Sequence, residues 1–131
     1  MKQVLVTGGS RGIGAATVRA FAQAGCAVSF FYEKSHEQAR QLAPETGAQA
    51  ICCDVADGAA VQAAFAGLPA LDVLVNNAGI AHYGLISQIT EAEWDRLFAV
   101  NVKGIYHCVN AALPGMLHRQ SGCILTVSYT H

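Results

Sequence analysis

Short apolar runs alternate along the chain with segments in which apolar residues recur at helical spacing. The first run lies at residues 2–7, and from Ile13 onward the apolar positions follow a helical period. Residues 27–32 form a second run that is rich in β-branched and aromatic side chains. Further runs lie at residues 48–53, 71–75 and 122–128. The pattern predicts five strands separated by helices.

Capping and breaking residues predict where the helices begin and end. The helices are predicted to begin near residues 13, 35, 57, 90 and 102. Gly25 predicts the end of the first helix, and Pro44 predicts that the second stops near residue 43. The last helix is predicted to reach residue 118, with a distortion at Pro114. Three residues of the fourth helix are predicted to be core, namely Trp94, Leu97 and Phe98.

Strands that alternate with helices predict an α/β fold with a parallel, doubly wound sheet in the strand order 3-2-1-4-5. The mostly apolar run at residues 71–75 is typical of a strand that helices cover on both faces. The chain has 131 residues, which predicts one domain, or part of one, over residues 1–131. In such a sheet the ligand site is expected where strands 1 and 4 end, because the strand order reverses there.

Composition excludes several classes of protein. Charged residues make up 13% of the chain, against about 25% in an average soluble domain, and the net charge is −1. Disorder and a basic nucleic-acid surface are therefore excluded. No apolar run reaches the roughly 18 residues of a membrane span, so we expect a cytoplasmic protein without a membrane partner. The five cysteines lack CxxC spacing and the histidines are scattered, which predicts reduced thiols and no metal site.

A glycine-rich turn joins the first strand to the first helix. Gly8, Gly12 and Gly14 would let the backbone approach a pyrophosphate at the helix N-terminus, although a purely structural turn would also use glycine. A kinase-type phosphate loop is excluded, because Ala15 follows Gly14 where that motif requires lysine.

Two motifs resemble those of the short-chain dehydrogenase/reductase family. Residues 7–14, TGGSRGIG, are similar to the family's TGxxxGxG turn, and residues 76–79 are similar to its NNAG motif. Asp54 and Val55 match the pair that contacts the adenine in the family, and Asn101 matches its catalytic asparagine. Within the family the chain is most similar to bacterial 3-oxoacyl-acyl-carrier-protein reductases and related small carbonyl reductases.

The resemblance implies a Rossmann-type oxidoreductase that uses NAD(P)H to reduce a ketone, such as a 3-oxoacyl thioester, to the alcohol. It implies one catalytic residue in this chain, Asn101, and these cofactor-binding residues: Thr7, Gly8, Ser10, Arg11, Gly12, Ile13, Gly14, Tyr32, Asp54, Val55, Asn77, Ala78 and Gly79. It also implies that full-length relatives form homo-oligomers.

Structural roles remain open for several of these residues. Asn77 and Gly79 can simply shape a turn, and so can Asp54. Asn101 follows an apolar helix face, so it requires either a buried partner or a function.

The end of the second strand indicates which nicotinamide cofactor is bound. NAD-binding sites place an acid there that accepts a hydrogen bond from the ribose 2′-OH. Tyr32 holds that position, and Arg11 lies where the family pairs a cation with a 2′-phosphate. NADP is therefore favoured over NAD. Glu33 points the other way, and Lys34 offsets it.

The family's proton donor is missing from this sequence. In the family a tyrosine donates a proton to the carbonyl oxygen, a lysine four residues later lowers its pKa, and a serine orients the carbonyl. Tyr129 stands at the serine position, and the sequence contains no such tyrosine–lysine pair. The abrupt departure at the last three residues indicates a truncation or a frameshift, so we expect the 131-residue chain to be inactive. A nucleotide-binding module without catalysis and a non-functional remnant remain as alternatives.

Overall fold

The computed structural model describes residues 1–128 and places five strands in one parallel sheet. The strand order is β3-β2-β1-β4-β5, which confirms the predicted fold class and order. The strands are β1 (Gln3–Thr7), β2 (Ala27–Tyr32), β3 (Gln49–Cys52), β4 (Val73–Asn76) and β5 (Cys123–Thr126). Tyr129 lies outside the described residues, so its predicted place after β5 stays a prediction.

Five α-helices connect or follow these strands in the described part of the chain. They are α1 (Gly12–Gln23), α2 (His36–Thr46), α3 (Gly58–Ala66), α4 (Glu91–Phe98) and α5 (Gly104–Arg119). The predicted caps of α3 and α4 are present. The Asp57 side chain accepts a hydrogen bond from the Ala60 N–H, and Thr90 and Glu93 form a reciprocal capping box.

Pro44 does not end its helix as the sequence predicted, whereas Pro114 lies within α5, which the sequence predicted to reach residue 118. α2 continues past Pro44 to Thr46 and ends at Gly47, which has a φ of 75°. α5 likewise continues past Pro114 to Arg119. Each proline lacks the N–H that would bond the carbonyl four residues earlier, but those residues are exposed, so water can satisfy their carbonyls.

α4 and α5 form one continuous helical run, where the sequence predicted two separate helices. A five-residue π-helical segment, Ala99–Lys103, joins them and contains Asn101. A π-helical turn widens the i→i+4 ladder by one residue and changes which side chains face the sheet. The apolar spacing on either side of this turn therefore cannot be read as one regular helix.

The core has two layers, one on each face of the sheet. Alternate residues of β1 point to opposite faces, so Leu5 packs towards α3 and α5 while Val4 and Val6 pack towards α1 and α2. The first layer also contains Phe31, Val61, Leu74, Val100, Cys108 and Met116. The second also contains Val18, Phe30, Leu42 and Val75. Both layers leave the carboxyl ends of the strands open at one edge of the sheet.

Trp94 and Phe98 are not core residues, so that prediction was wrong. Trp94 is 46% exposed and Phe98 is 49% exposed, and their rings pack on each other with centroids 5.0 Å apart. Together with Val102, Tyr106, Leu113 and Leu117 they form an exposed apolar stripe along α4 and α5. Helical spacing shows that an apolar face exists, but it does not show which element covers it. The buried face of this run is formed by Val100, Cys108, Ala112 and Met116.

β5 is an edge strand that pairs only with β4 among the described residues. Leu125 on this strand is 52% exposed, whereas the middle residues of β4 are fully buried. Such an edge offers unpaired N–H and C=O groups next to uncovered apolar side chains.

A polypeptide of these 131 residues is expected to self-associate in solution, because the β5 edge and the apolar stripe can both be covered by another chain. Light scattering after size-exclusion chromatography would measure its mass. Leu125→Lys should lower the associated fraction, and Leu85→Lys, at an exposed residue outside both surfaces, serves as the control. A monodisperse monomer that melts cooperatively would contradict this prediction.

Candidate functional site

A cavity of about 660 Å³ opens at the carboxyl ends of the strands, where the strand order reverses between β1 and β4. Eleven of the residues predicted to bind a cofactor line it: Gly8, Ser10, Arg11, Gly12, Ile13, Tyr32, Asp54, Val55, Asn77, Ala78 and Gly79. Thr7, Gly14 and Asn101 do not line it. The structure therefore brings most of the predicted site together at the edge that the topology indicated.

The glycine turn needs its glycines for two different reasons. Gly8 and Gly12 have φ angles of 62° and 59°, in the left-handed region that favours glycine. Gly14 has an ordinary helical position, but a Cβ there would lie 1.9 Å from the carbonyl oxygen of Gly8. Gly14 therefore lets α1 pack directly against the turn. The first N–H groups of α1 lack intrahelical acceptors, and the helix dipole favours an anion beside them.

Thr7 and Asn77 tie the ends of β1 and β4 together. The hydroxyl oxygen of Thr7 accepts hydrogen bonds from the N–H groups of Asn77, at 3.0 Å, and Ala78, at 2.9 Å. The Asn77 Nδ2 donates to the carbonyl of Gly8 at 2.9 Å. Thr7 is 2% exposed, so its hydroxyl positions the two loops and does not face the cavity. In this structure Thr7 acts through hydrogen bonds within the chain and Gly14 through packing, and direct cofactor contacts by either residue stay a prediction.

Asn101 holds the loop that follows β4. Its Nδ2 donates to the carbonyl of Ile80 at 2.8 Å, and its Oδ1 accepts from the N–H of Ile80 at 2.9 Å. A Cβ on Gly79 would lie 3.2 Å from that Oδ1. The partner that the sequence required for Asn101 is thus a backbone amide. The side chain is committed to this contact, and a catalytic role for Asn101 stays a prediction.

Arg96 bridges two carboxylates in the lining of the cavity. Its two terminal nitrogens each lie 3.0 Å from a carboxylate oxygen, one of Asp54 and one of Glu33. The hydrogen bond with Asp54 is the largest cause that raises the pKa of the Arg96 guanidinium. Asp54 also accepts a hydrogen bond from the N–H of Ala56 at 3.0 Å, so its turn-forming role is present too. The sequence did not single out Arg96, because a charged residue on an exposed helix is usually only solvated.

Arg11, Tyr32 and Lys34 also line the cavity, and we call these three residues the cationic corner. Arg11 is the residue before α1, its side chain makes no capping bond, and it lines the cavity with Tyr32 and Lys34. Neither Arg11 nor Lys34 has a carboxylate within 4.0 Å among residues 1–128. The Tyr32 ring packs edge-on against His36 at 5.2 Å, which keeps the ring at the mouth of the cavity. The corner can therefore receive a negatively charged group.

Comparison with known proteins identifies the family. The family model for short chain dehydrogenases matches residues 2–131. The chain belongs to the short-chain dehydrogenase family. The resemblance noted in the sequence is thereby confirmed.

The relatives of this chain carry the names of different activities. The chain is 39% identical to the 3-oxoacyl-(acyl-carrier-protein) reductase FabG of Staphylococcus aureus, over 97% of this chain and 55% of that protein. It is 47% identical to the cyclic-di-GMP-binding biofilm dispersal mediator protein of Escherichia coli, over 81% of this chain and 45% of that protein. A solved metagenomic short-chain oxidoreductase in complex with NADP superposes with a TM-score of 0.93 at 34% identity, covering 99% of this chain and 63% of that one. The chain thus spans about half the length of the curated relatives it matches.

Two buried cysteines of this chain, Cys53 and Cys108, are poor nucleophiles. Burial is the main cause that raises the pKa of Cys53 to about 11 and that of Cys108 to about 12. Both thiols are therefore protonated at neutral pH. Cys53 lines the cavity but cannot supply a thiolate there. Within residues 1–128 no group of three or more His, Cys, Asp or Glu side chains is arranged to hold a metal ion, and none of the helices is long and apolar enough to cross a membrane.

One buried side-chain amide of this chain, that of Asn76, lacks hydrogen-bond partners among the described residues. Asn76, which is 4% exposed at the end of β4, has no hydrogen-bond partner for its Nδ2 or Oδ1 among the described residues. An unpaired buried amide costs about 1–3 kcal/mol, so a polar partner from outside residues 1–128 would stabilise this end of β4.

Proposed function

We propose that this short-chain dehydrogenase binds NADP(H) and supplies the cofactor-binding half of an enzyme that reduces a carbonyl group to an alcohol. The substrate class we propose is a ketone such as a 3-oxoacyl thioester, because the reductase of Staphylococcus aureus is 39% identical over 97% of the chain. The observation that carries the proposal is the cavity at the switch point between β1 and β4, which the glycine turn and the cationic corner both line.

The residues of the cavity fit a dinucleotide. The glycine turn and the first N–H groups of α1 suit a pyrophosphate, because they approach it closely and carry the positive end of the helix dipole. Asp54 and Val55 follow β3 and line the cavity, and we propose that they hold the adenine. Arg11 and Lys34 offer positive charge beside Tyr32, where an NAD-binding site would place an acid. These features support NADP over NAD.

When bound, NADPH supplies the hydride for the reduction. The residues of this chain bind and orient: the glycine turn holds the phosphates, and Asn77 keeps that turn in place through the Gly8 carbonyl. Asn101 fixes the loop at Ile80, next to the lining residue Gly79. None of the four tyrosines is followed by a lysine four residues later, so the proton donor of the family is not among these 131 residues.

Removing the Arg11 side chain should weaken NADP binding more than NAD binding. Arg11→Ala deletes a cation expected to pair with the 2′-phosphate, and a charge-assisted contact contributes about 1–3 kcal/mol. The dissociation constants of both cofactors would be measured by equilibrium dialysis, which tolerates self-association. Arg19→Ala is the control, because Arg19 lies on the same helix but pairs with Glu45 away from the cavity. Equal losses for NADP and NAD would show that Arg11 does not read the 2′-phosphate.

Binding of cyclic-di-GMP without catalysis is the second candidate function. It is favoured by the 47% identity to the cyclic-di-GMP-binding biofilm dispersal mediator protein. The same dialysis experiment separates the candidates when NADP, NAD and cyclic-di-GMP are each tested on the 131-residue chain. Binding of NADP alone supports the reductase half, and binding of cyclic-di-GMP alone supports the second candidate. A chain that folds but binds none of them would be the non-functional remnant.

A further inference from the structure

We infer that Arg96 determines the preference for NADP by neutralising two carboxylates of the cofactor cavity. The inference rests on the proposed binding of NADP and assigns a role to a residue that the glycine turn and the NNAG motif do not include. Arg96 is a specificity-determining residue that acts through Glu33 and Asp54.

The geometry places one cation between two acids that come from different strands. Glu33 directly follows β2, Asp54 lies shortly after β3, and Arg96 reaches both from α4. Two separate nitrogens of the guanidinium are used, and each lies 3.0 Å from its carboxylate oxygen. No other Lys, Arg or His among the described residues lies within 4.0 Å of either carboxylate. Both acids therefore depend on Arg96 for a counter-charge.

The charged residues that line the cavity show how Arg96 affects the binding of a phosphate. The lining contains three cations and two acids, namely Arg11, Lys34, Arg96, Glu33 and Asp54. Because Arg96 serves both acids, Arg11 and Lys34 are left without an ion-pair partner among residues 1–128. Their positive charge is then available to a phosphate. Without Arg96, the two acids would oppose the two remaining cations.

The preference for NADP over NAD depends mainly on whether Glu33 is paired with Arg96. Glu33 is the residue after Tyr32, which ends β2. In NAD-binding sites an acid at the end of this strand accepts a hydrogen bond from the ribose 2′-OH. In this structure the Glu33 carboxylate is turned to Arg96 instead. The contrary signal that Glu33 gave in the sequence is thus removed by a residue 63 positions away in the chain. A Glu33 carboxylate that has lost its ion pair with Arg96 would repel a 2′-phosphate and would accept a hydrogen bond from a 2′-hydroxyl.

The test is a charge-removal cycle on the full 131-residue chain, measured by equilibrium dialysis with NADP⁺ and NAD⁺ at low ionic strength. Low salt is needed because the three side chains are 31–38% exposed and salt screens them. Arg96→Gln should raise the dissociation constant for NADP⁺ by about 10- to 100-fold and change that for NAD⁺ by less than about threefold. Adding Glu33→Gln to Arg96→Gln should restore most of the NADP⁺ affinity, whereas Glu33→Gln alone should have little effect.

Arg40→Gln is the matched control, because it removes the same charge from an exposed residue of α2 that has no ion pair among the described residues. Far-UV circular dichroism would verify that each variant keeps its helices. A loss that is equal for both cofactors, or that Glu33→Gln does not rescue, would overturn the role of Arg96 while leaving the proposed function intact. Failure of the unsubstituted chain to bind either cofactor would overturn the proposed function itself.

Discussion

Gly14→Val is expected to abolish NADP binding. A Cβ at Gly14 would lie 1.9 Å from the Gly8 carbonyl oxygen and 2.6 Å from Asn77 Nδ2, so α1 must move away from the turn. That movement would also break the 2.9 Å hydrogen bond between Asn77 and Gly8. The turn would lose the shape that places its N–H groups around a pyrophosphate. Calorimetric titration with NADP⁺ would measure the loss.

Gly14→Ala distinguishes this clash from a simple change in helix stability. Alanine favours a helix over glycine by about 1 kcal/mol, so propensity alone predicts a more stable α1. The clash with Gly8 already involves the Cβ, so we expect Gly14→Ala to weaken binding strongly as well. Gly115→Ala and Gly115→Val are the controls, because a Cβ at Gly115 in α5 meets nothing within 4 Å. Undiminished binding by Gly14→Val would remove the glycine turn from the cofactor site.

A polypeptide of these 131 residues is expected to reduce no carbonyl substrate above background with NADPH. Loss of a positioned proton donor typically costs a factor of about 10² to 10⁴, and its lysine partner is absent from these 131 residues as well. Asn101 cannot substitute, because both ends of its amide are bonded to the backbone of Ile80. The assay would follow NADPH absorbance with an acetoacetyl thioester.

Adding the missing groups should restore turnover. The comparison chain carries Tyr129→Ser and continues with the second half of a short-chain dehydrogenase chosen because it carries the family's tyrosine–lysine pair. Replacing that tyrosine with phenylalanine in the comparison chain is the control and should return the rate to background. Turnover by the unmodified 131-residue polypeptide would contradict the prediction and would mean that another group donates the proton.

Most of the sheet could be predicted from the sequence because its signals are local. The apolar runs became β1 to β5 within one or two residues of their predicted ends, and the caps at Asp57 and Thr90 were predicted from neighbouring residues alone. The prediction that Pro44 ends its helix failed because the cost of a proline depends on whether solvent reaches the freed carbonyl. The positions of Trp94 and Phe98 failed because periodicity does not say what lies opposite a helix face.

The candidate site also has features that the sequence predicted and features that it did not. Its position and its glycine turn follow from strand order and from motifs, both of which are written along the chain. Thr7 contacts residues 77–78, Gly14 packs on residue 8, and Asn101 contacts residues 79–80. These roles depend on how the turns pack together, so the sequence pattern did not show them.

The sequence by itself determined the family, the parallel order of the sheet and the edge at which a cofactor would bind, because hydrophobic periodicity and short motifs act over a few residues. Only the tertiary structure decided which polar groups already have a hydrogen-bond or ion-pair partner and which can still bind a ligand. Arg96 illustrates the difference, since it meets Glu33 and Asp54 only after α4 folds over the ends of β2 and β3. The electrostatics of the cavity depend on distances in space, and those distances are set when the helices pack on the sheet.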